Sequence, residues 1–309
     1  MNDLVKPNLF IVGTGKAGTF SLHEYLSQHP DIYMSPNKEP NYFGRDLRFN
    51  VPSMTKEEYL AIFGEAGGSL YRGEASVSYL LSRNAAAEIR AFNEDSKIII
   101  IVRDPVEVMY SRYSQNLKTG IETLKPFSRA LSAEAPRKKG LGVPAGVTCD
   151  DWLFYREWVK YSEQIERYLS RFPRTEVFVA VYDDLKDDPV KLYADLTTFL
   201  GVSNDPMPHF GKVNANKNVR STFITRMARG RIRFSREIAR VVLPSRSLRR
   251  SVADLLQGMN SVEAPRKPLS RELEQSLRQE LEGEITYLEK ILERDLSHWK
   301  ADRARPEIG

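Results

Sequence analysis

The stretch NLFIVGTGKAGTF, Asn8 to Phe20, constrains this chain more than any other. Leu9 to Val12 is an apolar, partly β-branched run too short for a helix. It leads into Gly13, Gly15 and Gly18 around Lys16, which predicts a strand, a tight loop and a helix in succession. Such a loop directs several backbone N–H groups at one point and backs them with the positive end of a helix dipole, so a phosphate-sized anion is the expected occupant. Two motif readings fit loosely. GTGKAG satisfies G-x-G-x-x-G, but the acid that a dinucleotide site wants about twenty positions on could only be Glu39, cut off from the short run Ile32 to Met34 by Ser35, Pro36 and Asn37. A P-loop kinase would end its loop in Gly-Lys-Ser/Thr, whereas Lys16 precedes Gly18 and Thr19 follows it.

A second stretch repeats this grammar. KIIIIVRDP, Lys97 to Pro105, is an uninterrupted β-branched run of the kind found in a central parallel strand covered on both faces. Asp104 and Pro105 stand as N-cap and first residue of a helix that carries Ser111 on its second turn. Around these units strands and helices alternate. Helices are predicted over Thr19 to Gln28, Arg83 to Phe92, Asp151 to Phe172 and Pro189 to Leu200, the last ended by Gly201, with a capping box at Thr55 to Glu58 before a short one. Strands are predicted at Ile32 to Met34, Tyr71 to Ala75 and in EVFVAVY. The Gly-, Pro- and Lys/Arg-rich segment from Ala133 to Thr148 reads as a mobile loop, and no strand is expected beyond Pro206, where a final helix spans roughly Arg271 to Arg294. The pattern specifies an α/β fold: a mainly parallel sheet flanked by helices, a P-loop-like phosphate-sized loop, and a helical C-terminal extension. Residues 1–221 are expected to form the core, with 222–309 packed on the same domain.

Composition narrows the function classes. The 309 residues carry a net charge of +5, but Arg220 to Arg250 hold ten arginines against Glu237, or +9, leaving 5 − 9 = −4 for the rest. Basicity confined to one segment, without zinc-finger spacing or an aromatic nucleic-acid signature, argues against a nucleic-acid partner. The arginine steps in that segment fit an anionic membrane surface or an anionic polysaccharide. One cysteine, Cys149, excludes an internal disulfide framework, and no apolar run of signal or membrane-spanning length is present, so a cytoplasmic protein, peripheral at most to the inner membrane face, is expected. His23, His29, His209 and His298 show no metal-ligand spacing, and no metal is expected.

The sequence GTGKAGTFSLHEYLSQHPDIYMSPNKEPNYF together with VRDPVEVMYSRY resembles the sulfotransferases that use 3'-phosphoadenosine 5'-phosphosulfate (PAPS), in their heparan-sulfate-type and bacterial branch. The resemblance runs from about Asn8 to Ser221. It implies transfer of a sulfuryl group to a hydroxyl or amine of a carbohydrate, glycolipid or small-molecule acceptor, leaving 3'-phosphoadenosine 5'-phosphate (PAP).

By that resemblance, the backbone N–H groups of Gly15, Ala17, Gly18, Thr19 and Phe20 hold the 5'-phosphosulfate, and Lys16 steadies the bridging oxygen as the sulfur–oxygen bond breaks. Arg103 and Ser111 hold the 3'-phosphate, with Lys217 and Arg220 of VNANKNVRSTF as further phosphate-side candidates. Glu39, in NKEPNYF, falls where the family has a catalytic glutamate and is assigned as general base, with Glu74 next in line. Three positions depart from the pattern: Asn41 replaces a histidine, Ala75 a lysine and Val77 a proline. The bland alternatives are a salt bridge from Arg103 to Asp104 or another acid, a surface hydroxyl for Ser111, a solvated loop lysine for Lys16, and ion pairing of Glu39 with Lys38, Arg45 or Lys16. Two other functions stay open: a P-loop-like nucleotide kinase or phosphotransferase, and a non-enzymatic nucleotide- or membrane-surface-binding protein.

Overall fold

The computed structural model describes residues 5–211, 217–219, 261–263 and 267–301. Its centre is a five-stranded sheet in the order β2-β3-β1-β4-β5, parallel throughout. The strands are β1 (Leu9–Gly13), β2 (Ile32–Met34), β3 (Tyr71–Ala75), β4 (Lys97–Val102) and β5 (Val177–Val181). The β4 run explains itself in section. Ile98, Ile100 and Val102 face one hydrophobic cluster, while Ile99 and Ile101 face the other, so both faces are covered and no polar residue is tolerated.

The helices are α1 (Thr19–Leu26), α2 (Lys56–Ala61), α3 (Ala85–Phe92), α4 (Pro105–Thr119), α5 (Phe127–Ser132), α6 (Glu134–Lys138), α7 (Tyr161–Leu169), α8 (Tyr182–Asp187), α9 (Pro189–Leu200) and α10 (Arg271–Leu292). The predicted stop and start signals act as their chemistry requires. Thr55 forms a reciprocal capping box with Glu58, Asp104 accepts from the N–H groups of Val106 and Glu107, and Gly201 ends α9 in the left-handed region. α1 and α9 cover one face of the sheet. α10 joins the other, burying Leu277, Leu281, Ile285 and Leu288 in the cluster that holds Phe10 and Ile100. Among the described residues no helix is long and apolar enough to cross a membrane.

Three expectations need correction. Asp151 to Phe172 is not one helix: two 3₁₀ turns, Asp150–Leu153 and Glu157–Val159, precede α7. Leu153, Phe154 and Tyr155 are buried in succession, which one face of an α-helix cannot achieve, and Phe154 leaves the helical region at φ −102°, ψ 81°. The segment from Ala133 is not all loop either, because α6 starts at Glu134 and its Arg137 forms a buried pair with Glu122 at 2.6 Å. Beyond Pro206 there are strands, β6 (Lys217–Val219) and β7 (Ser261–Glu263), paired antiparallel and each too short to show alternation. The arginine-rich stretch from Arg220 to Arg250 lies outside the described residues.

Candidate active site

β1 pairs with β3 on one side and β4 on the other, and the chain builds outward from it in both directions. That is a topological switch point, where the loops leaving two neighbouring strands diverge and open a crevice at their carboxyl ends. The loop after β1, Thr14 to Gly18, and Arg103 after β4 therefore face each other across it. Only this topology brings them together.

The loop is held at both ends. Thr14 donates its N–H to the Ile101 carbonyl at 2.7 Å and its hydroxyl lies 3.4 Å from the Trp158 carbonyl. Lys16 (φ 75°) and Gly18 (φ 95°) take left-handed conformations that curl the backbone round. Gly18 is the N-cap of α1 and no acidic side chain occupies the helix's first turn, so N–H groups at this end are available to an external anion. Ala17 and Thr19 are buried, whereas Phe20 is at the surface with the Lys38 ammonium 3.3 Å from its ring centroid.

Arg103 donates from Nη1 to the Lys16 carbonyl at 3.0 Å and pairs through Nη2 with Glu107 at 3.3 Å, while its guanidinium stacks 4.3 Å from the Tyr182 ring centroid. Its ion pair is thus with Glu107 in the first turn of α4, the other acid that the bland alternative allowed, and not with Asp104. Ser111 is 8% exposed on α4, so it is no surface hydroxyl. Lys217 falls in β6, and Arg220 lies outside the described residues.

Glu39 sits on a loop stitched to the end of β3. Its N–H donates to the Ala75 carbonyl at 3.0 Å, and the Asn41 N–H donates to Ser76 Oγ at 3.1 Å. Both residues have positive φ, 53° and 48°. Glu39 is open to solvent by surface area yet walled by protein around its carboxyl, and that desolvation raises its pKa against the pull of Arg112, Lys38 and Lys16, in that order. The same crowding brings Lys38 down to about 8, with burial opposed by Glu24 and Glu39. Glu74, by contrast, is fully enclosed: Tyr59 and Ser76 each donate to it at 2.6 Å and Tyr79 at 2.9 Å. It ties β3 to the aromatic cluster through Tyr59 and Tyr79.

Three residues shape this crevice, and two of them, Arg112 and Arg278, were left unmarked by the sequence reading. Arg112, directly after Ser111, is buried with its guanidinium 3.6 Å from the Trp158 ring centroid, and a Cβ at Gly15 would collide with it. Trp158 floors the loop. Arg278 of α10 reaches Asp104 at 3.2 Å, fixing the C-terminal helix to the turn that carries Arg103. Adjacency to Ser111 was a usable signal for Arg112. Nothing local marks Arg278, 174 residues from its partner.

A glycine-rich loop at a helix N-terminus beside an arginine of the neighbouring strand-helix unit defines an α/β protein with a crevice suited to an anionic group. The sulfotransferase domain family matches residues 6–230, and the chain belongs to that family. A sulfotransferase structure from Alicyclobacillus acidocaldarius superposes with a TM-score of 0.72 at 28% identity, over 96% of this chain and 100% of that one. Heparan sulfate glucosamine 3-O-sulfotransferase 3B1 of Mus musculus is 27% identical over 63% of this chain and 46% of its own length, and heparan sulfate glucosamine 3-O-sulfotransferase 6 of Homo sapiens is 30% identical over 63% and 52%. The chain thus spans about half the length of these curated relatives.

Proposed function

We propose that the chain is a PAPS-dependent sulfotransferase acting on a carbohydrate hydroxyl, with residues 1–221 as catalytic core and 222–309 as its helical extension. The observation that carries this reading is the clamp of Arg103 on the Lys16 carbonyl, which ties the proposed 3'-phosphate contact to the proposed 5'-phosphosulfate loop. The residues fit the donor. The curled backbone of Gly15 to Phe20 offers N–H groups at a helix terminus, Arg103 offers a fixed fork and Ser111 a hydroxyl on the adjoining helix, and a buried arginine beside Gly15 has donors to spare. When bound, PAPS supplies the sulfuryl group: the acceptor oxygen bonds to sulfur, the bond from sulfur to the 5'-phosphate oxygen breaks, and that oxygen keeps the electron pair.

Glu39 takes the proton that the acceptor hydroxyl loses, and its raised pKa makes it a stronger base than an ordinary carboxylate. Lys16 stabilises the negative charge that grows on the departing phosphate oxygen. Gly15, Ala17, Gly18, Thr19 and Phe20 orient the phosphosulfate, while Lys217 and Arg220 remain proposed phosphate contacts. A carbohydrate acceptor is favoured because the curated relatives named above are heparan sulfate enzymes. In the same reading the enzyme works in the cytoplasm, and Arg220 to Arg250 meet an anionic polysaccharide or an anionic membrane face.

Incubation with PAPS and a panel of oligosaccharide acceptors, followed by accurate-mass spectrometry, tests the reaction. A mass increment of sulfate supports it. A phosphate increment with ATP instead would make the chain a phosphotransferase, and nucleotide binding without any product would make it a binding protein.

A further inference from the structure

Arg112, the buried arginine beside Gly15, has donors to spare but no assigned partner in that scheme. It is 5% exposed, its guanidinium carbon lies 3.6 Å from the Trp158 ring centroid and 5.9 Å from that of Trp152, and its fork rests against the α-carbon of Gly15. Nε and Nη2 have no hydrogen-bond partner among the described residues. Buried polar groups are almost always satisfied, and a buried cation left without acceptors is costly, so such an arrangement persists where a ligand completes it. The electrostatics fix the direction. Glu39 is the group that most favours the charged form of Arg112, and Arg112 the group that most favours the ionised form of Glu39. The guanidinium, packed on Trp158 beside Gly15, thus lies in the field of the Glu39 carboxylate.

We propose that Arg112 holds the sulfonate end of the donor, with Nε–H and Nη2–H directed at non-bridging sulfonate oxygens. The inference rests on the PAPS reading above. If the loop holds the 5'-phosphate and Glu39 faces the acceptor hydroxyl, the sulfonate lies between them, beside Gly15. A planar fork with two adjacent donors matches two oxygens of a tetrahedral anion, and its stacking on Trp158 fixes the fork before the ligand arrives. Those oxygens stay on sulfur from donor to product, so the contact orients the group throughout its transfer.

Calorimetry on the full chain, with PAPS and with PAP, separates this role from others, because PAP lacks only the sulfonate. Arg112→Met should bind PAPS about 10- to 100-fold more weakly than the wild type and PAP within about threefold of it, with Arg112→Lys between the two for PAPS. Equal losses for both nucleotides would reduce Arg112 to a support of the loop. Unchanged PAPS binding with a raised KM for acceptor would assign it to an anionic group of the acceptor. Both results overturn the proposal. Should the Arg112→Met protein fail to fold, the wild type decides by NMR. The Arg112 Nε–H resonance, assigned by its loss in Arg112→Lys, should move when PAPS binds and not when PAP binds, and equal movement would overturn the proposal. A wild type that binds neither nucleotide would sink the donor reading itself, whereas one that binds both, alongside a variant that does not discriminate, sinks only the role of Arg112.

Discussion

Arg103 donates to the backbone carbonyl of Lys16 at 3.0 Å, so the arginine that ends β4 also clamps the loop that follows β1. The contact joins two segments 87 residues apart and makes loop shape depend on the same side chain that is proposed to read the 3'-phosphate.

Arg103→Ala should therefore weaken PAP binding on the order of 1.5 to 3 kcal/mol through the lost charge-assisted contact. A smaller loss should appear for adenosine 5'-phosphosulfate, which lacks the 3'-phosphate but still depends on the loop. Titration calorimetry with both ligands checks this, and equal losses would leave Arg103 only its clamping role.

Lys16→Ala should lower kcat more than it weakens PAP binding, because the charge it meets is greatest when the bridging oxygen becomes anionic. Single-turnover rates compared with PAP affinity make the distinction. A raised KM at constant kcat would make Lys16 a positioning contact.

Glu39→Gln should reduce turnover roughly 10²- to 10⁴-fold while leaving PAP affinity nearly intact, since the amide keeps the shape and loses the base. In the wild type the acidic limb of kcat/KM should fall at higher pH than the ordinary glutamate value of 4.5, because burial raises the pKa of Glu39. Activity must then be lost as pH falls through that raised value. A limb at or below 4.5 would point to another base.

Glu74 gives a stability prediction with a definite sign. An unfolded chain releases this proton near pH 4.5, whereas burial holds it in the fold until about pH 7. Between those values the native state binds the extra proton, so stability falls as pH rises, by on the order of 3 kcal/mol across the window. Urea unfolding of Glu74→Gln at pH 5 and pH 7 should show a flatter dependence than the wild type, because the variant has no proton to release there. An unchanged slope would show that Glu74 ionises normally.

Arg278 bridges Asp104 and Glu274 at 3% exposure and also donates to the Trp299 carbonyl. Arg278→Met should cost about 3 kcal/mol, since it removes one half of the buried Arg278–Asp104 pair. It should also loosen α10 from α4, read as faster amide exchange along α10 than along β4. Equal protection in variant and wild type would make the pair energetically idle.

Much of this molecule was legible along the chain because the relevant physics is local. The β-branched run of β4 could only be a strand covered on both faces, Asp104 and Pro105 could only start a helix, and the glycines around Lys16 could only make a tight turn. Local rules failed where burial outranked periodicity. Trp152, Tyr155 and Trp158 carry helical spacing, but the core needs Leu153, Phe154 and Tyr155 together, and the chain breaks into 3₁₀ turns to supply them.

The sequence by itself determined the strand-loop-helix units and their caps, and it carries Lys16, Glu39, Arg103 and Ser111 at the positions where the family resemblance expects site residues. Only the tertiary structure decided that β1 and β4 are neighbours, that Arg112 lies against Gly15, that Glu74 is sealed among three hydroxyl donors, and that Arg278 crosses from α10 to Asp104. The reason is physical: capping, turns and strand propensity act over a few residues, whereas the partner of a buried charge is whichever group the packed sheet and helices bring within reach.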